Sequence, residues 1–203
     1  MIKATFYLSC TVLLTAFSPV KETLPELEPG SPLPKSELTW QDISGKEISL
    51  NTAKGSNGLL VIFGGNRCPY MQRNQERIHN ICALAAQNNI GVVMVNSNEA
   101  ARNVGESLDE MKEFASQQQF TWYYILDKNA LLADAFDANH TPECFLFDNN
   151  NWLIYKGGID DSPGNAEAVK TRLLQNAISE MLAGKNVTTN TANSLGCNIK
   201  RRI

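Results

Sequence analysis

The sequence contains no Cys-x-x-Cys pair, only two histidines, and five cysteines set singly along 203 residues. The first absence excludes a dithiol that closes a disulfide within one helical turn. The shortage of histidine, with no paired cysteines, leaves little support for a closed zinc site. Five cysteines are also too few for a disulfide-dense secreted scaffold. Charged residues make up 19% and sum to −3. There is no basic field, so nucleic acid is not an expected partner.

What is present begins with an address. Lys3 precedes a run of apolar and small residues from Ala4 to Ser18. That run suits a signal-peptide core, with Leu14-Thr15-Ala16 as a cleavage box. An uncleaved anchor, or lipidation at Cys10, is the alternative. Residues 1–18 are read as a signal peptide, and the expectation is export to the periplasm or cell envelope of a bacterium. Any membrane association would run through this segment alone. Five of the eight prolines fall in residues 19–37, which reads as an extended linker.

The domain is expected over residues 38–184. Leu38–Asp42 and Glu47–Leu50 read as a hairpin. Leu59–Phe63 and Ile90–Val95 are short apolar runs that suit strands buried on both faces. Met71, Ile78, Ile81, Cys82 and Ala85 recur at helical spacing, which predicts one helix from Pro69 to about Asn88. Leu108–Gln118 is amphipathic, and Ser107 can cap it. A shorter helix is expected over Asn129–Phe136. Cys144–Phe147 and Trp152–Tyr155 read as a hairpin joined by Asp148–Asn151. A last helix is predicted from Ala166 to Leu182, stopped by Gly184. Residues 185–203 form a polar tail without periodicity, yet it carries Cys197. Strands alternating with helices indicate an α/β sheet covered on both faces.

Cys68 lies where a buried strand turns into a helix, after Gly64-Gly65-Asn66-Arg67. Unpaired backbone N–H groups and the positive end of the helix dipole are expected to face its sulfur. Both favour the thiolate, which is the nucleophilic form. Arg67 and Arg73 are candidates to add positive charge. Cys82 falls on the apolar helix face and reads as core, as a free cysteine often does. Cys144 reads as core or as an active-site thiol. His79 and His140 are isolated, and Asp160 and Asp161 read as a solvated turn.

Val61-Ile-Phe-Gly-Gly-Asn-Arg-Cys-Pro-Tyr-Met71 resembles the active-site segment of the thioredoxin superfamily. Thr141-Pro142, before Glu-Cys-Phe-Leu-Phe-Asp148, resembles its second landmark, a cis-proline ahead of a strand. More narrowly, the chain resembles peroxiredoxin-like bacterial members, of the redoxin or alkyl hydroperoxide reductase and thiol-specific antioxidant type. Their further motifs match Tyr155–Asp161 and Gly196–Lys200.

The resemblance implies a thioredoxin-like fold, with a central mixed sheet flanked by helices and an N-terminal β-hairpin extension. It implies a redox enzyme acting through Cys68 by disulfide exchange or thiol peroxidase chemistry, with no metal or organic cofactor. Its partner is then a thiol or disulfide protein, or a peroxide. A non-catalytic binding module of the envelope is the rival reading. Asn66, Arg67 and Pro69, with Thr141 and Pro142, are the implied substrate-binding residues, the last two by strand-like pairing. Met71 stands where a dithiol member has its second cysteine, so Cys197, Cys144 or an external thiol must resolve Cys68. Val61 and Gly65 replace the proline and the Thr or Ser of true peroxiredoxins, which predicts slow peroxide reduction.

Overall fold

A computed structural model describes residues 26–202. The expected signal peptide, Cys10 and the first part of the proline-rich segment lie outside the described residues. The centre is a five-stranded mixed sheet. Its strands are β3 (Leu59–Gly64), β4 (Gly91–Asn96), β5 (Tyr123–Leu126), β7 (Glu143–Phe147) and β8 (Leu153–Gly157), in the order β5-β4-β3-β7-β8. β3, β4 and β5 run parallel, and β7 and β8 are antiparallel to their neighbours.

β3 is central and buried at every position. Its alternation divides the interior. Leu60 and Ile62 face α3 (Gln75–Gln87), α4 (Leu108–Gln117) and α6 (Leu173–Leu182). Leu59, Val61 and Phe63 face the other side, under α1 (Leu50–Ala53), α5 (Leu131–Ala135) and the hairpin of β1 (Thr39–Gln41) and β2 (Glu47–Ser49). There Phe63, Phe136 and Phe145 meet edge to face, at centroid separations of 5.2–5.6 Å, the arrangement that ring quadrupoles favour. This is the thioredoxin-like fold with an N-terminal hairpin. No helix of the described residues is long and apolar enough to cross a membrane.

Several elements depart from the sequence reading. The helix expected from Pro69 to Asn88 breaks into α2 (Pro69–Arg73) and α3 at Asn74. The Asn74 side chain donates to the Tyr70 carbonyl at 2.7 Å and to that of Pro163 at 2.8 Å. It thus shares the Tyr70 carbonyl with the Asn74 N–H, which donates to it at 3.1 Å, the side-chain bonding to backbone that bends helices at such residues. The last helix starts at Leu173 rather than Ala166. The Asp161 carboxylate accepts the N–H groups of Lys170 and Thr171, at 3.0 Å each, and holds them in a loop. Ser107 and Gly184 behave as expected: Ser107 forms a reciprocal capping box with Glu110, and Gly184 adopts φ +66 after α6. β5 was not expected, because Trp122–Leu126 shows no clean alternation.

Residues 26–37 are not a free linker. Gly30 and Leu33 donate to the Leu153 and Asn151 carbonyls, and Leu153 donates back to Ser31. Leu27 and Leu33 are buried in the core beside Trp40 and Phe147. Leu33→Ala is therefore expected to lower unfolding free energy by about 2 kcal/mol or more. Urea titration followed by tryptophan fluorescence checks this; an unchanged midpoint would return the segment to linker status.

Candidate active site

Gly64 ends β3, and Gly65-Asn66-Arg67 turns the chain so that Cys68 caps α2. The turn is held by one carboxylate. Glu106, 4% exposed, accepts the N–H of Asn66 at 3.0 Å and of Arg67 at 3.2 Å, and the Asn96 amide at 2.6 Å. The Tyr124 hydroxyl donates to Asn66 Oδ1 at 2.8 Å, and Asn66 Nδ2 donates to the Gly105 carbonyl. Burial pushes the Tyr124 phenol up, so it remains a donor. Arg102 braces the far side, donating to the Asn96 side chain and to the Glu106 carbonyl.

This differs from the sequence expectation. Two amides of the turn, those of Asn66 and Arg67, are taken by Glu106; the N–H groups at the start of α2 are not among them. Asn66 is an internal strut, its side chain bonded to Gly105 and Tyr124. Arg67 is exposed, lies over Gly105 and donates to the Val104 carbonyl. Arg73 is spent on the Tyr70 ring, 5.8 Å from its centroid.

The Cys68 sulfur has two close partners. One is the Thr141 carbonyl at 3.0 Å; the other is the Cys197 sulfur at 2.6 Å. The Thr141–Pro142 bond is cis, as the resemblance implied. β6 (His140–Thr141) pairs antiparallel with β9 (Cys197–Asn198), which sets Thr141 directly opposite Cys197. The tail that showed no pattern is thus fixed across the site. Ile199 is buried in the core, and Lys200 exchanges bonds with Asn98 and Ala100. Arg201 reaches Asp134 at 2.7 Å and the Ala138 carbonyl at 2.7 Å.

Burial, and then the adjoining Cys68 sulfur, push the Cys197 thiol up to about 11. Cys197 therefore keeps its proton through the neutral range.

The remaining candidates lie apart. Cys144 is fully buried in β7, opposite Ile62, and Cys82 is buried on α3. Burial raises both thiols. Met71 is fully buried in the core. Pro69 is exposed beside the sulfur. His140 meets Ser194 at 3.4 Å, and His79 lies in an aromatic cluster with Phe120 and Trp122. Asp160 is not solvated but buried and paired with Arg77.

Glu106 escaped the sequence reading, since its only neighbouring signal is the Ser107 cap. Glu106→Gln must set an NH₂ group against at least one of the three donors. It is expected to cost about 1–3 kcal/mol, the usual penalty for a buried unpaired polar group. Chemical denaturation gives that cost, and amide exchange at Asn66 and Arg67 should speed up in the same variant. Unchanged exchange would show that the turn does not depend on the carboxylate.

Known proteins share this arrangement to different extents. Residues 29–156 match the model of the AhpC/TSA family. Thiol-disulfide oxidoreductase ResA of Geobacillus kaustophilus is 25% identical over 121 residues, which are 60% of this chain and 64% of that protein. The chain thus spans less than two thirds of that curated relative. An uncharacterized conserved protein from Geobacillus kaustophilus superposes with a TM-score of 0.80 at 26% identity, over 88% of this chain and 94% of that one. A hypothetical protein from Sinorhizobium meliloti 1021 does so with 0.76 at 30% identity, over 89% and 97%. A family match over most of the domain, resting on a fold that these structures share, is sufficient: the chain belongs to the AhpC/TSA family.

Proposed function

We propose that the protein is a thiol-disulfide oxidoreductase working through a reversible Cys68–Cys197 pair. The observation that carries the reading is the 2.6 Å approach of the two sulfurs, made by residues 129 apart in sequence. Non-bonded sulfurs do not need such closeness for packing, and a disulfide forms at ~2.05 Å.

The chemistry runs in two exchanges. The Cys68 thiolate attacks one sulfur of a partner disulfide. A Cys68–partner bond forms, the partner's S–S bond breaks, and its other sulfur leaves as thiolate. The Cys197 thiol attacks Cys68 Sγ and, as the Cys197–Cys68 bond forms, passes its proton to the partner sulfur that it expels, which leaves as a thiol. The partner has gained two electrons, and Cys68 and Cys197 are joined. An external dithiol restores the pair by the reverse exchanges. No step needs a metal or an organic cofactor. The residues before Pro142 supply a backbone edge for the partner, and the exposed Pro69 and Arg67 border it.

Peroxide is the poorer substrate in this reading. A Cβ at position 65 would lie 2.4 Å from Asn98 Nδ2, so no Thr or Ser fits there without rearrangement. Val61 faces the opposite side of the sheet from Cys68. Export to the periplasm or cell envelope belongs to the same proposal. It rests on the apolar stretch Ala4–Ser18 and on the need for a compartment in which the pair can be oxidised.

Peptide mapping of the oxidised protein without reductant is expected to give a Cys68–Cys197 cross-link. Cys197→Ser should accumulate Cys68 as a mixed disulfide and slow turnover of a protein disulfide about tenfold or more. Cys197 found free in fully oxidised protein, with Cys68 joined to Cys144, would overturn the assignment. In stopped flow, hydrogen peroxide should oxidise Cys68 no faster than a simple thiolate. A much higher rate would move the reading to peroxidase.

A further inference from the structure

The catalytic cycle above asks two segments to use one place. A partner sulfur bonded to Cys68 needs the backbone edge of β6, and that edge is already paired with β9. The tail sits there in a constrained way. A Cβ at Gly196 would lie 2.2 Å from the Thr141 oxygen and 2.7 Å from its carbonyl carbon. Only glycine lets the chain pass Thr141 this closely and still deliver the next residue's sulfur to Cys68. Cys68 itself is 5% exposed. The tail is held by a short ladder, the Ile199 side chain, the Lys200 bonds to Asn98 and Ala100, and the Arg201 contacts. The stretch before it is pinned to β8, where Lys156 bonds to Asn190 and Ala192, and the joint between the two is exposed, with Leu195 61% accessible.

We infer that residues 196–199 are an intramolecular stand-in for a partner strand, so that the protein takes an extended segment carrying a Gly-Cys step, and only when its own tail has left β6. The inference rests on the disulfide-exchange reading. It adds a gate and a specificity. An added strand gains affinity from main-chain hydrogen bonds and selectivity from whichever side chains the site admits. Here the site admits no side chain on the residue before the cysteine. The tail competes from the same chain, so a free partner meets only the fraction of molecules in which it is open, and apparent affinity falls by that fraction.

The test uses the full-length reduced protein and two extended peptides, one containing Gly-Cys and one Val-Cys. Each cysteine is capped as a mixed disulfide with thionitrobenzoate. Cys68 thiolate attacks the peptide sulfur, the Cys68–peptide bond forms, and thionitrobenzoate leaves as a coloured thiolate. Mass spectrometry identifies the adduct. The Gly-Cys peptide is expected to react about tenfold or more faster than the Val-Cys peptide, which must force a side chain against Thr141. Gly196→Val, which cannot seat β9, should raise the rate with the Gly-Cys peptide about tenfold over the native chain. Arg201→Ala, which loosens the tail without a clash, should raise it by a smaller factor and serves where Gly196→Val fails to fold by circular dichroism.

Equal rates for the two peptides would remove the specificity. No gain in either tail variant would remove the gate. A small aromatic disulfide separates these failures from that of the underlying reading. If Cys68 reacts with it but the peptide pattern is absent, the stand-in is wrong and the exchange chemistry survives. If Cys68 is inert to it in every variant, the chemistry itself fails.

Discussion

The Glu106 carboxylate is the constraint on which the site depends. It gathers two backbone amides and one side-chain amide at the point where β3 gives way to α2. A buried carboxylate is tolerable only when donors surround it, and a three-residue turn is rigid only when its amides have partners. Each need meets the other. The fixed turn aims Cys68 away from the sheet and toward Thr141. It also commits two amides of the turn, because an N–H already bound to a carboxylate cannot cradle a second anion.

Much of the fold was legible because the sheet is buried on both faces and its strands are nearly continuous apolar runs. β3, β4 and β7 could be read from Leu59–Phe63, Ile90–Val95 and Cys144–Phe147 for that reason. Ser107 and Gly184 were legible because caps obey local rules. The failures share a cause. Asn74 breaks a helix through a bond to Pro163, and Asp161 prevents one through Lys170 and Thr171. Both are polar contacts, one across 89 residues and the other across nine and ten, that no periodicity records. Leu27 and Leu33 looked like stray apolar residues among prolines until β8 stood beside them.

The site divides in the same way. Cys68 could be found from its strand-to-helix position, and Thr141-Pro142 from a resemblance. Cys197 could be suspected as a thiol kept in a polar tail, but its register opposite Thr141 could not be. Asn66 shows what position alone does not tell. A polar residue beside a candidate cysteine invites a substrate role, and here its amide is bonded to Gly105 and Tyr124. Glu106, forty residues along the chain from Asn66, gave no local signal.

The path of the tail has a thermodynamic consequence of its own. A bond between Cys68 and Cys197 closes a loop of 129 residues, most of the folded domain. In the chain-entropy account, tying so long a loop removes freedom from the unfolded ensemble worth roughly 5 kcal/mol. By linkage the same energy appears in the redox equilibrium, since a fold that holds the two sulfurs together also resists their reduction. For the proposed pair, oxidation state and resistance to unfolding are one variable: a disulfide form is the hardy one, and a dithiol form is the one that heat and proteases find first.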